Sequence, residues 1–513
     1  MPWLLGLSIG PLFFAVSAQA PLIQRWFALA QPGRNPYALY AASNLGSFAG
    51  LIAYPLLVEP AMTLHGQSLL WSLGYGLLAL LVVACATRLP ASRDPAADPA
   101  PTSAVPGWRR IGYWVALAAV PSGLVLATST YITTDIVAMP LLWVLPLGLY
   151  LASFIIAFAT RRGAADTLTR IAPVTLLLFG GVIMGGYPER PYSNVVVALL
   201  LLFMVSVALH TAMYRARPAV DRLTGFYLWM AVGGALGGVF AGILAPVLFD
   251  WTYEYPLLIL AAGMLIPQQF ILPVIRDLWW RHPRAMLVAL AVVIGLVLEL
   301  RLVGPAAWFG EERQGTVFLV IAALGFLTIG ARTGFVLLLG GALVLFGGYR
   351  ALSLSMERDA RMRSYFGVYT VRDGAGYREL DHGSTVHGIQ LRGSAARERT
   401  PTTYYAPIRA SAGRCAPHRC CTDRRRGSAW SDWGRGRSPV MRSRASAGAS
   451  TRSIRSSSAS RAIPASSAIC AGASPIPSSA SATRASAWPP RHRTAWTCWR
   501  SMPFRRTRFR RIC

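Results

Sequence analysis

Five ionisable residues lie within or beside long apolar runs: Asp135, His210, Asp250, Glu254 and Glu299. Carboxylates and an imidazole in such settings suit a proton or substrate relay, because a charge in an apolar segment persists only at a cost. Each of the five falls at or near the end of its run, where water reaches it, and interfacial solvation accounts for that placement. No pair of interrupted helices and no internal repeat supports transport beyond the number of runs. A second group, His418 with Cys420 and Cys421, carries soft metal ligands. Its spacing fits no standard zinc knuckle, so no metal is expected.

The runs that would position the first group dominate the chain. Of 513 residues, 54% are hydrophobic and only 14% are charged. A soluble domain carries about a quarter charged residues, so a purely soluble helical protein is excluded. The net charge of +29 invites a nucleic-acid partner, but its placement argues against one. All 50 basic residues are arginine. Residues 1–350 hold 20 arginines against 13 acids, 351–407 hold 8 against 6, and 408–513 hold 22 against 2. The excess is therefore concentrated in the last segment, which also holds six of the seven cysteines and no Leu, Glu, Gln, Asn or Tyr. So abrupt a break marks two kinds of sequence joined near residue 407.

Residues 1–350 read as a multi-span α-helical membrane domain of eleven or twelve spans, since about 20 apolar residues of helix cross a bilayer. The expected spans are 4–22, 37–58, 68–86, 111–133, 136–159, 171–186, 194–214, 226–249, 255–275, 285–300, 315–330 and 334–349. Pro140, Pro146 and the glycines 233, 234, 237 and 238 would be poor in soluble helices. In lipid, small residues let helix backbones approach closely. The first run ends in Ser17-Ala18-Gln19-Ala20, which resembles a signal-peptidase site but lacks a basic leader, so a retained span is expected. Its start inside an apolar run also points to lost earlier helices.

The arginines orient these spans. Loops after the first, third, fifth, seventh and ninth carry two, four, three, three and three arginines; those after the second, fourth, sixth and eighth carry none, none, one and none. By the positive-inside rule the odd loops are cytoplasmic. Twelve spans would then put residue 350 onward outside the cytoplasm, and eleven inside.

Residues 351–407 change to period two. The stretch 364–371 alternates and is rich in aromatic and β-branched residues, as in a strand. A turn at 372–376, a second strand from Tyr377 to Leu380 and a third segment from Gly383 to Gln390 follow. This is a sheet too short to form an enzyme core of its own.

The stretch "RSYFGVYTVRD…YRELDHGSTVHGIQ…PTTYYAP" resembles the N-terminal β-domain of the polyamine aminopropyltransferases, the spermidine-synthase-like family. The bacterial membrane-fused branch is the nearest likeness, with "LYAASNLGSFAGLIAYPLLVEP", "YITTDIVAMPLLWVLPLGLYL" and "LTGFYLWMAVGGALGGVFAGILAPVLFD" similar to its recurrent membrane segments. The resemblance covers residues 5–407. It implies a protein of the bacterial cytoplasmic membrane whose intact relatives add a Rossmann-like α/β domain. Those relatives move an aminopropyl group from decarboxylated S-adenosylmethionine to an amine, without a metal. It implies that Gln390 contacts the sulfonium co-substrate and that Tyr404 and Tyr405 stand at the edge of a polyamine pocket; His387 is assigned to packing. A sheet that met this co-substrate would be cytoplasmic, which favours eleven spans.

Residues 408–513 resemble nothing in that family and read as a disordered, out-of-frame tail. If one base is restored after the codon of Pro407, residues 407–415 can be written P-D-S-G-V-G-R-A-L. Later stretches then permit, in order, a Gly-rich turn, an acid closing the next strand and an acidic loop, as in nucleoside-binding α/β domains. On this reading the catalytic acids and the co-substrate site are not encoded, so the product is catalytically inactive. The alternative function is a transporter or scaffold whose helical domain acts alone. Its partners are the lipid bilayer and a polyamine, with no nucleic acid.

Overall fold

The computed structural model describes residues 2–31, 33–89, 103–136, 142–185, 191–302, 311–383 and 385–403. Twelve apolar helices, one for each run, lie among the described residues up to 356. Nine are long and apolar enough to cross a membrane; three are shorter, at Val144–Phe158, Glu254–Leu265 and Val317–Thr328. We number them α1 (Pro2–Ala30), α2 (Ala38–Ala53), α3 (Leu64–Thr87), α4 (Trp108–Tyr131), α5 (Val144–Phe158) and α6 (Gly163–Gly185). They continue as α7 (Pro191–Arg215), α8 (Leu223–Val239), α9 (Glu254–Leu265), α10 (Pro273–Arg281), α11 (Pro283–Leu302), α12 (Glu311–Thr328) and α13 (Arg332–Leu343). The ninth expected span, 255–275, ends ten residues early because Pro267, Gln268 and Gln269 break it; α10 is a separate amphipathic helix carrying Arg276 and Arg281.

Wide π turns extend four of these helices, at Tyr54–Val58, Ile132–Ile136, Phe240–Leu244 and Val344–Gly348. Beyond the last, a helix over Tyr349–Met356 carries the chain six residues past the expected boundary at 350.

The centre of the bundle is where small residues were expected to matter. Helices α4 and α8 cross at Gly233 and Gly237: a Cβ at either would run into the carbonyl oxygen of Val115 or Ala119. Gly234 plays a different part, its carbonyl accepting from Ser122 Oγ at 2.8 Å, and nothing crowds its Cβ position. Around this crossing lie Trp114, Leu117, Leu124, Leu209, Phe226 and Ile259, all essentially without solvent contact. The outer surfaces of α1, α2, α3 and α11 remain apolar and exposed, with Leu7, Leu45, Leu80 and Val288 each more than half accessible.

The sheet has four strands, not three: β1 (Arg361–Ser364), β2 (Gly367–Gly374), β3 (Tyr377–His382) and β4 (Thr385–Leu391), an antiparallel meander in chain order. The expected single strand 364–371 is split at Tyr365–Phe366 by a tight turn that Gly367 permits with φ +140°; a Cβ there would collide with the His382 ring. The expected turn over 372–376 is shorter, because Arg372, Asp373 and Gly374 pair with Glu379, Arg378 and Tyr377. The register of β3 and β4 shifts between Leu380 and Asp381. Pro140, Tyr404, Tyr405 and the tail with His418, Cys420 and Cys421 lie outside the described residues.

Candidate functional site

The five apolar-run candidates are not brought together. Asp135 lies in the π turn after α4. Asp250 is half-buried between the end of the eighth apolar helix and Trp251, and Glu299 is exposed on α11. His210 is fully buried on α7. Its ring stacks on Phe154 with centroids 3.6 Å apart, and Nδ1 lies 2.8 Å from Ser153 Oγ. Its Nε2 has no hydrogen-bond partner among the described residues.

Glu254 carries the most developed geometry. It opens α9, where a carboxylate is favoured by the positive end of the helix dipole. Arg363, on β1, meets it with two parallel bonds, Nη1 to Oε2 at 2.7 Å and Nη2 to Oε1 at 2.6 Å. Arg363 Nη1 also donates to the Trp251 carbonyl at 2.7 Å. The side chains are 4% and 1% exposed, so the pair is removed from water. A buried bidentate pair of this kind fixes geometry: removing one partner strands a charge, although the pair as a whole need not exceed apolar packing in stability.

Around it, further contacts join this end of the bundle, the helix Tyr349–Met356 and the sheet. Tyr253 Oη and Ser355 Oγ are 2.8 Å apart, Arg361 Nη1 donates to the Ala351 carbonyl at 3.0 Å, and Arg361 lies over the Trp251 ring. Gly383, at φ +59°, packs directly on the Thr134 carbonyl, leaving no room for a side chain. Arg363, Trp251 and Gly383 were not singled out from the sequence. The only usable signal was the acid in the first turn of an apolar helix, Glu254.

On the sheet, Gln390 lies on β4. Its Nε2 donates to the Glu398 carbonyl at 3.4 Å, in the surface contact between β4 and the short helix Ala395–Glu398. His387 is exposed on β4, its ring 5.5 Å from that of His382, which stacks on Tyr369 at 4.4 Å. Asp381, buried on β3, lies 3.2 Å from Arg372 Nε. Burial pushes its carboxyl above the ordinary range, against the opposing pull of Arg372.

The opposite end of the bundle is built from the arginine-bearing loops. Arg110 donates to the carbonyls of Ala216 and Arg217, Arg222 to that of Ser103, and Arg215 pairs with Asp166 at 2.7 Å. Asn35 Nδ2 reaches Tyr214 Oη, and Tyr37 Oη the Pro218 carbonyl. Arg162 and Arg217 lie over the Tyr214 ring, 4.4 and 3.9 Å from its centroid. Each guanidinium named here ends on a carbonyl, a carboxylate or an aromatic face.

A cavity of about 140 Å³ between α11, α12 and α13 is lined by apolar side chains such as Val293, Val297, Ile321 and Leu338. It has no group with which to perform chemistry. No cluster of His, Cys, Asp and Glu with metal-binding geometry occurs among the described residues. Comparison with protein-family models, with curated proteins and with solved structures finds no match to this chain.

Proposed function

We propose that this chain is a multi-pass protein of the bacterial cytoplasmic membrane, laid out like a membrane-bound spermidine synthase, that serves as a membrane-embedded scaffold and does not itself transfer aminopropyl groups. Its helical bundle is the working body, and the sheet is a rigid extension of it. The buried Glu254–Arg363 pair carries this reading, because it spends a desolvated charge pair on attachment. Gln390, the residue that the resemblance assigns to decarboxylated S-adenosylmethionine, donates to a backbone carbonyl at the sheet surface. The test is calorimetric titration of the purified full chain with decarboxylated S-adenosylmethionine. No binding is expected; micromolar binding would overturn the inactive assignment.

His210 favours a second reading, solute transport, since a buried ring nitrogen without a partner can hydrogen-bond a polar solute. The two readings separate in proteoliposomes loaded with a labelled polyamine. A scaffold gives no flux above protein-free vesicles, whereas flux abolished by His210→Ala would replace the scaffold with a transporter.

A further inference from the structure

We propose that the sheet sits on the extracytoplasmic face of the membrane, with its Tyr365–Phe366 turn dipping into the lipid interface there. This goes beyond the scaffold reading, which does not specify a side.

The argument follows single helices from end to end. Helix α4 starts beside Arg110, whose guanidinium holds the Ala216 and Arg217 carbonyls of another arginine-rich loop. It runs 24 residues, roughly 36 Å at 1.5 Å per residue, and its π-turn extension ends with Thr134 against Gly383 of the sheet. Helix α8 repeats the path. It starts after Arg222, which is tied to Ser103, and its continuation reaches Ile243, whose carbonyl accepts from Tyr365 Oη at 3.4 Å. The arginine loops and the sheet therefore occupy opposite ends of the same helices. Nine helices are long and apolar enough to cross a membrane and three are shorter, so the placement rests on these end-to-end contacts.

The positive-inside rule assigns the arginine loops to the cytoplasm, because it counts arginines in short loops near helix ends. The sheet is then outside. The sheet end has arginines too, with Arg350, Arg358, Arg361, Arg363 and Arg372 in or just after the last helix, but the five odd loops at the other end hold fifteen and outweigh them in the count.

The turn fits that location. Phe366 is 85% exposed and Tyr365 66%, and Val247, four residues beyond Ile243 on the continuation of α8, is 69% exposed. Tyr365 reaches back to a carbonyl several residues inside the apolar helix, so the turn lies below its rim. Aromatic residues at that depth, apolar in body and polar at the tip, are what a bilayer interface favours.

The test uses the full chain with its native cysteines replaced by serine and single cysteines introduced by Gln31→Cys or Thr385→Cys. Both positions are exposed. In intact spheroplasts a membrane-impermeant maleimide should label Thr385→Cys, and Gln31→Cys only after lysis. Labelling of both or of neither before lysis, or the reverse pattern, would overturn the proposal. Binding and flux assays are blind to sidedness, so this result stands apart from theirs. For the turn, Phe366→Cys carrying an environment-sensitive dye should be quenched by nitroxide lipids several-fold more than Thr385→Cys with the same dye. Equal quenching would remove the turn from the interface.

Discussion

At one end of the bundle, arginines of three loops end on backbone carbonyls, a tyrosine face and a half-exposed aspartate. At the other, one arginine is withdrawn from water and closed bidentately on one glutamate. The two ends use the same side chain for different physical purposes. Many partly solvated charges give orientation, a sum to which no single residue is essential. A single desolvated pair gives attachment, and there each atom counts.

That contrast can be broken most forcefully at Arg363. Arg363→Ala leaves the Glu254 carboxylate buried without its partner and should cost about 3–5 kcal/mol in the stability of the docked sheet. Limited trypsinolysis in detergent should then cut between 361 and 399 far faster than in the native chain. Undiminished protection would reduce the pair to an ornament of the interface.

The helices that carry both ends should be next in sensitivity. Gly237→Val places side-chain atoms against the Ala119 carbonyl, and overpacking of this kind costs about 1–3 kcal/mol. Gly234→Ala, where nothing crowds the Cβ, should be close to neutral. Thermal aggregation midpoints of the two variants should separate clearly; equal midpoints would mean that α4 and α8 do not cross in this way.

A smaller effect is expected at Asp381. Because burial raises its carboxyl above the ordinary range, the folded sheet holds that proton more readily than the unfolded chain does. Its contribution to stability is therefore greatest below the ordinary carboxylate range and declines as pH rises through the raised value. Asp381→Asn should flatten this part of the profile. Thermal unfolding across the acid-to-neutral range would show it, and an unchanged slope would contradict the burial argument.

The least change is expected at the arginine-rich end. Arg215→Ala removes an ion pair whose members are 49% and 39% exposed, a class worth about 0–1 kcal/mol. Its thermal midpoint should barely move. A loss comparable with that of Arg363→Ala would erase the distinction between the two ends.

The helices were legible because long apolar runs leave the backbone few alternatives, and every run became a helix. Errors arose where local pattern met tertiary demand. The run 255–275 kept its hydropathy across Pro267 and Gln268, yet the chain turned there and Gln268 Nε2 bonds the Gly263 carbonyl. The strand 364–371 alternated correctly but concealed a turn, since Tyr365 and Phe366 have good strand propensity and only the positive φ of Gly367 marks the reversal. Glu254 was visible as an acid at a helix start. Its partner was not, because 109 residues separate them and no local rule links a helix cap to a distant strand.

The most direct test of the attachment claim is a double-mutant cycle on Glu254→Gln and Arg363→Met, scored by the stability of the docked sheet. If the pair is the clamp, the double variant should lose much less than the sum of the singles, with a coupling of about 2–3 kcal/mol. A coupling below about 0.5 kcal/mol, the scatter expected of independent sites, would contradict it and leave the sheet held by its remaining contacts alone.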